Sequence, residues 1–128
     1  MITDILLKFG VSLGATLVIE ILLALIFGVR NKKGLLIVLL VNTLTNPAAV
    51  LICWLADLYF FYGFEFLVEI AVEIAVVVLE AKIYMMFIHN EEFKIRYPVR
   101  MAVVCNLVSW LTGIVLGQVY IHLMRYYF

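Results

Sequence analysis

The sequence predicts an all-α integral membrane protein, a four-helix transmembrane bundle that forms a single membrane domain over residues 1–128. Composition is the first observation behind this prediction. The 128 residues are 67% hydrophobic and 14% charged, with a mean hydropathy of +1.19, whereas soluble domains carry roughly 25% charged residues. A soluble domain this small could not bury so much apolar surface. The second observation is that the apolar residues form four long runs separated by short polar connections.

Each apolar run has the length of about 20 residues that a helix needs to cross a bilayer. The predicted spans are 5–29, 35–60, 64–88 and 101–123. Turn and charge residues separate them: Arg30 to Gly34, then Tyr62-Gly63, then His89 to Arg100 with Pro98. These connections are too short to hold a soluble domain, so the whole chain is expected to lie in or at the membrane.

The first span carries one acid at membrane depth, Glu20, on a polar ladder with Ser12 and Thr16. Gly10 and Gly14 form a pair of small residues, which lets helices approach closely in lipid.

The second span contains the most polar stretch at membrane depth, from Asn42 to Pro47. Asn42 and Asn46 lie one helical turn apart on the same face. Pro47 has no N–H and crowds the carbonyl of Thr43, which then loses its usual partner. In a membrane such a carbonyl must be satisfied by a neighbour, by water or by an ion. The alternative interpretation is a proline kink with polar side chains that hold helices together.

The third span carries an acidic stripe. At 100° per residue, its members fall within a sector of about 100°; they are Glu65, Glu69, Glu73, Glu80 and Tyr84. Glu65 lies near the outer surface, so four acids are at lipid depth: Glu20, Glu69, Glu73 and Glu80. The one base at that depth, Lys82, points away from the stripe. Four ionised carboxylates would cost on the order of 10 kcal/mol. Protonation, a bound cation, a water-filled cavity or a basic partner could remove this cost; protonated glutamates that hold helices together are the structural alternative.

The fourth span places Asn106, Ser109, Gly113, Gly117 and Tyr120 on one face. Its small residues, four apart, are typical of close helix packing. Packing inside the bundle is the favoured interpretation, and contact in a homodimer is the alternative.

The basic residues set the expected orientation. The first connection holds Arg30, Lys32 and Lys33, the third holds Lys94, Arg96 and Arg100, and the second holds none. Connections 30–34 and 89–100 are therefore expected to be cytoplasmic. The chain is then a multi-pass protein of the cell membrane with its N-terminus and C-terminus outside.

The two halves of the chain resemble each other. Each has a glutamate, a phenylalanine seven residues later, a basic connection, and an asparagine followed three residues later by a hydroxyl residue. These are Glu20, Phe27, Asn42 and Thr45 in one half, and Glu80, Phe87, Asn106 and Ser109 in the other. The pattern predicts two similar hairpins, a parallel repeat about an axis along the membrane normal, with the glutamates and asparagines at one depth.

The pattern N-x-x-T-N-P on the second span, with E-x3-E-x6-E-x3-Y on the third, resembles small uncharacterised prokaryotic four-span membrane proteins. The resemblance covers mainly residues 42–84 and implies no assigned activity.

The leading functional hypothesis is that the chain binds or moves a cation or proton through an intramembrane site. The predicted site residues are Glu20, Glu73, Glu80, Asn42, Asn46, Asn106, Thr43, Glu69 and Ser109, with a kink at Pro47. Oxygen ligands of this kind suit a hard cation such as Na⁺, Ca²⁺, Mg²⁺ or Mn²⁺.

Two alternatives stay open. The first is a non-enzymatic membrane subunit that pairs its acidic helix face with a partner, and the second is an intramembrane enzyme that uses paired glutamates. In the leading hypothesis too, the chain is expected to form a homo-oligomer or to bind a membrane partner protein. A net charge of zero gives no argument for nucleic acid, and no nucleophile–base pair or His/Cys metal motif is present, so an enzyme is the less favoured reading.

Overall fold

The computed structural model describes residues 2–60 and 63–127. It contains helices α1 (Ile2–Ile26), α2 (Lys32–Tyr59), α3 (Phe64–Met85) and α4 (Pro98–Tyr127), and no strand within the described ranges. Each helix packs against the next one along the chain, and α4 also packs against α1. The bundle is therefore a closed ring, with α1 diagonal to α3 and α2 diagonal to α4.

Local chemistry explains where these helices begin and end. Gly28 adopts a left-handed conformation with φ +91°, so α1 ends at Ile26 and not at residue 29 as hydropathy suggests. The side chain of Asn31 accepts a hydrogen bond of 2.8 Å from the Gly34 N–H, and this cap starts α2 at Lys32. Pro98 opens α4 because a proline costs nothing in the first helical turn.

Three of the four helices are long and apolar enough to cross a membrane. The qualifying stretches are Phe9–Ile26 of α1, Lys32–Tyr59 of α2 and Pro98–Leu123 of α4. Helix α3 contains four glutamates and Lys82, and these charges exclude it from the helices that are apolar enough to cross a membrane by composition. Large apolar side chains also cover much of the outer surface of the bundle, far more than a soluble protein exposes. The helices therefore imply a lipid bilayer as the surroundings of this chain.

The buried residues concentrate at one end of the bundle, where the connections 27–31 and 86–97 lie; we call this the closed end. Its core contains Ala24, Val29, Val38, Val41, Ala81, Tyr84, Ile95, Met101, Ala102 and Cys105. At the opposite end, which we call the open end, Ala56 is the one buried residue beyond the level of Thr16 among the residues whose burial the structure describes. Packing is thus strongly unequal along the bundle axis.

Connection 86–97 covers the closed end and contacts the start of α2. The Lys33 ammonium donates to the Glu92 carboxylate over 2.7 Å, and the Asn31 amide donates to the Glu92 carbonyl. The rings of Phe87 and Phe93 pack with centroids 4.5 Å apart. The two contacts of Glu92 join the hairpins at this end, and the ring pair packs connection 86–97 against itself.

The glycine pairs do not pack inside the bundle. A Cβ added at Gly10, Gly14, Gly113 or Gly117 would meet no atom within 4 Å. The favoured interpretation of these small residues as internal packing positions is therefore wrong, because neighbouring helices do not approach them. Contact in a homodimer stays a prediction.

Candidate functional site

A layer of four polar side chains crosses the centre of the bundle, one from each helix. Glu20 of α1, Asn42 of α2, Glu80 of α3 and Asn106 of α4 have exposed fractions of 0%, 1%, 0% and 5%. We call these four residues the polar layer. It lies on the open-end side of the apolar core, so that core separates it from connection 86–97.

Glu80 is the more tightly held of the two glutamates. Its Oε1 accepts a hydrogen bond of 2.7 Å from the Thr45 hydroxyl, and its Oε2 accepts from the Asn106 amide. The same amide donates to the Ala102 carbonyl over 2.9 Å. Both carboxyl oxygens of Glu80 therefore have a donor, one from α2 and one from α4.

Glu20 has the same arrangement with longer contacts. Its Oε2 accepts from the Asn42 amide and its Oε1 from the Ser109 hydroxyl, both over 3.4 Å. The Asn42 amide also donates to the Val38 carbonyl over 3.0 Å, and the Cys105 thiol lies beside the carboxyl of Glu20. Each glutamate thus takes one bond from the asparagine of its own hairpin and one from a hydroxyl of the other hairpin.

Each of these hydroxyls has one hydrogen but two acceptors within reach. Thr45 can donate to Glu80 or to the Val41 carbonyl, 3.1 Å away. Ser109 can donate to Glu20 or to the Asn106 carbonyl, also 3.1 Å away. A hydroxyl that turns to its backbone carbonyl presents its oxygen to a protonated carboxyl. The network can therefore be satisfied with each carboxyl either ionised or protonated.

No basic side chain compensates the two glutamates within the described part of the chain. The ion pair found there, Lys33–Glu92, lies on the surface of the closed end. An ionised carboxylate buried without a positive partner is very costly. The described residues therefore leave protonation, a bound cation or water in a cavity to offset this cost within one copy of the chain.

A small polar cavity adjoins the layer on its open-end side. Its volume is about 20 Å³, and its walls include Thr16, Thr45, Asn46, Glu73, Asn106 and Ser109. The Asn46 amide donates to the Thr16 hydroxyl over 2.9 Å, whereas its buried Oδ1 has no partner in the described residues. A cavity of this size holds about one water-sized species, and the free Oδ1 offers that species an acceptor.

The other predicted site residues are not in the polar layer. Glu69 accepts a hydrogen bond of 2.8 Å from the Trp110 indole, and Glu73 lines the cavity without a hydrogen-bond or ion-pair partner among the described residues. Thr43 lies on the exposed side of α2, where its hydroxyl donates to the Leu39 carbonyl. Pro47 lies inside a continuous α2.

Three contacts were not included in the predicted site. Thr45 binds Glu80, Trp110 binds Glu69, and the Tyr84 hydroxyl lies 3.4 Å from the Asn42 amide. The position of Thr45, matching that of Ser109 in the other half, was a usable signal for the first. No pattern in the sequence pairs Trp110 with Glu69. No group of three His, Cys, Asp or Glu side chains suited to a metal ion occurs within the described residues.

The fold and this site define a membrane protein with paired buried glutamates. No protein-family model, curated protein or solved structure matches the chain. The resemblance to small prokaryotic membrane proteins therefore stays a prediction.

Proposed function

We propose that this protein is a four-span membrane protein that binds and moves a proton or a small hard cation through the polar layer. The observation that carries the proposal is the pair Glu20 and Glu80, both fully buried and both without a basic partner in the described residues. A carboxyl kept at membrane depth at this cost is generally functional.

The exposed and buried faces of α3 support including this helix as the fourth span. Its acidic stripe faces the bundle, with Glu80 buried and Glu73 half-buried, whereas Phe66, Leu67 and Ile74 are exposed on the outside. Its 22 residues extend about 33 Å, enough for a hydrocarbon core of about 30 Å. With four spans, the basic connections 27–31 and 86–97 share one side, which the charge rule makes cytoplasmic.

The proposal includes two similar hairpins around the layer. Equivalent bonds join Asn42 to Glu20 and Asn106 to Glu80, and equivalent hydroxyls cross from Ser109 and Thr45. A parallel repeat would produce this exchange. The arrangement supports a shared site to which both hairpins contribute one carboxyl.

The Thr45 and Ser109 hydroxyls can each donate to a carboxyl or to a backbone carbonyl, and these two orientations favour a proton as one bound species. When a carboxyl gains a proton, its hydroxyl partner can turn to the backbone and keep every group paired. The second candidate species is a small dehydrated cation, which the cavity with the unpartnered Asn46 Oδ1 favours. A subunit that pairs these two acids with a basic partner has less support, because Glu20 and Glu80 are fully buried inside one copy of the chain. A homo-oligomer is compatible with the proposal.

The test is the thermal stability of the purified protein across pH and a panel of Na⁺, Ca²⁺, Mg²⁺ and Mn²⁺. We expect stabilisation by low pH or by one ion in proportion to its concentration, and loss of that response in Glu80→Gln and Glu20→Gln. Glu65→Gln, on α3 outside the layer and cavity, is the matched control.

Flux of the stabilising species into proteoliposomes then separates movement from binding. Wild-type flux that disappears in Glu80→Gln supports the proposal. An ion and pH response identical in wild type, Glu20→Gln and Glu80→Gln would show that the buried carboxyls bind neither species.

A further inference from the structure

Each of the two basic connections at the closed end inserts an apolar side chain into the core and follows it directly with an arginine. Val29 and Ile95 are each 1% exposed and belong to the same core. The residues that follow them, Arg30 and Arg96, are both exposed. Because the buried side chains hold the two connections in place, each arginine lies at a fixed point of the closed-end surface.

The two connections meet at the start of α2. A Cβ added at Gly34 would overlap both the Phe93 carbonyl and the Val29 side chain, so both connections lie against this glycine. Arg30 follows Val29 directly, and Arg96 comes three residues after Phe93. The fold therefore brings one arginine from each hairpin to the same end of the bundle.

The surface of the closed end carries an excess of positive charge. Residues 27–34 and 86–100 include six exposed bases and two exposed acids, which are Arg30, Lys32, Lys33, Lys94, Arg96 and Arg100 against Glu91 and Glu92. The ion pair that the described residues show there joins Lys33 to Glu92. Four positive charges remain in excess, so this surface attracts anions and repels a head group that carries an ammonium.

Exposed apolar side chains lie beside these bases. Leu36 in α2, Met86 and Ile88 after α3, and Val99 in α4 are all exposed. Tyr97 is exposed as well, and tyrosine is enriched where a membrane meets water. A phospholipid could contact the bases with its phosphate and these apolar side chains with its acyl chains, whereas a free phosphate ion would use the bases alone. The combination therefore favours a lipid over a dissolved anion.

We infer that Arg30 and Arg96 together bind the phosphate of an anionic phospholipid at the closed end. A guanidinium group can donate two parallel hydrogen bonds to a phosphate, a geometry that lysine does not offer. Because one arginine comes from each hairpin, the bound lipid links the hairpins and stabilises the bundle. The inference goes beyond the proposed function and does not depend on which species occupies the polar layer.

The test is the thermal midpoint of the purified protein in a non-ionic detergent during titration with dioleoyl phosphatidylglycerol. Dioleoyl phosphatidylcholine has the same chains with a zwitterionic head, and inorganic phosphate has the charge without the chains. We expect a saturable rise of the midpoint with phosphatidylglycerol alone. The rise should disappear in about 1 M salt, where the Debye length is about 3 Å.

Single substitutions locate the site. Arg30→Gln and Arg96→Gln should each raise the half-saturating concentration of phosphatidylglycerol about fivefold, because each removes one base that faces an anionic lipid. Both side chains are exposed, so both variants should fold as wild type does. Arg125→Gln, which removes an exposed arginine near the end of α4 at the open end, is the matched control and should titrate as wild type.

Three results would overturn the inference. Equal rises with phosphatidylglycerol and phosphatidylcholine would show that the charge of the head group does not matter. A rise with inorganic phosphate would show that a dissolved anion binds without the lipid. A half-saturating concentration that stays the same in Arg30→Gln and Arg96→Gln would show that the two arginines form no site for the lipid.

Discussion

The closed end and the open end of the bundle are built from helices of similar character but pack very differently. At the closed end, the connection 86–97 lies over the helix ends and buries Ile95 among Val29, Val38 and Met101. At the open end, α4 is exposed from Gly113 to Leu123. Residues outside the helices fill the closed end, whereas no such residue is buried at the open end among those whose burial the structure describes.

This difference places the polar layer at a boundary. Toward the closed end it meets packed side chains, including Ala24, Tyr84 and Ala102. Toward the open end it meets the cavity that holds Asn46 and Glu73. The layer therefore has a packed apolar core on its closed-end side and a small polar cavity on its open-end side.

The largest expected effect comes from a comparison of two tyrosines, one at each end of the bundle. Tyr84 is 0% exposed in the core of the closed end, and Tyr120 is 52% exposed at the open end. Tyr84→Ala removes a large buried side chain and should lower the free energy of unfolding by about 3–5 kcal/mol. Tyr120→Ala should change it little. Reversible unfolding in mixed micelles measures both, and equal losses would contradict the unequal packing.

A second test uses glycines. A Cβ at Gly34 would overlap the Phe93 carbonyl, a backbone atom that cannot move aside, whereas a Cβ at Gly14 would meet open space. Gly34→Ala should therefore cost about 3 kcal/mol, and Gly14→Ala should cost nothing because alanine is the better helix former. Thermal midpoints in detergent provide the measurement. A tolerated Gly34→Ala would mean that connection 86–97 does not press on α2.

The sequence predicts the helices better than it predicts their packing. Hydropathy identifies four helices because apolar length is a property of single segments, and matching spacings around Glu20 and Glu80 indicate that these residues share a layer. The exposure of Gly113 and Gly117 was not predictable, because it depends on how far apart the helices stand at the open end. The pairing of Trp110 with Glu69 was not predictable either, because it depends on the relative rotation of α3 and α4.

A third, smaller effect distinguishes two threonines of α2. Thr45 donates to Glu80, and Thr43 donates only to the Leu39 carbonyl on the exposed side of the helix. Thr45→Val leaves a carboxyl oxygen of Glu80 without its donor and should cost roughly 1–2 kcal/mol; Thr43→Val should be nearly neutral. The pH dependence of stability should change only in Thr45→Val. If both variants behave alike, the layer does not depend on its hydroxyls.

The smallest expected effect concerns the surface of the closed end. The Lys33 ammonium, 2.7 Å from Glu92, holds the pKa of that carboxyl below its ordinary value of 4.5. Because the pKa is lower in the folded protein than in the unfolded chain, the pair stabilises the fold above pH 4.5 and loses this contribution as the pH falls further. Exposed pairs contribute little and are screened by salt.

We therefore expect Glu92→Gln to lower the thermal midpoint slightly near neutral pH and low salt. The difference from wild type should vanish in acid and in high salt. Glu91→Gln is the control, because it removes a neighbouring charge for which the described residues show no ion pair. A difference that persists in acid and in high salt would show that Glu92 does not act through its charge. The backbone contact with Asn31 cannot produce such a difference, because Glu92→Gln keeps the carbonyl that accepts the hydrogen bond.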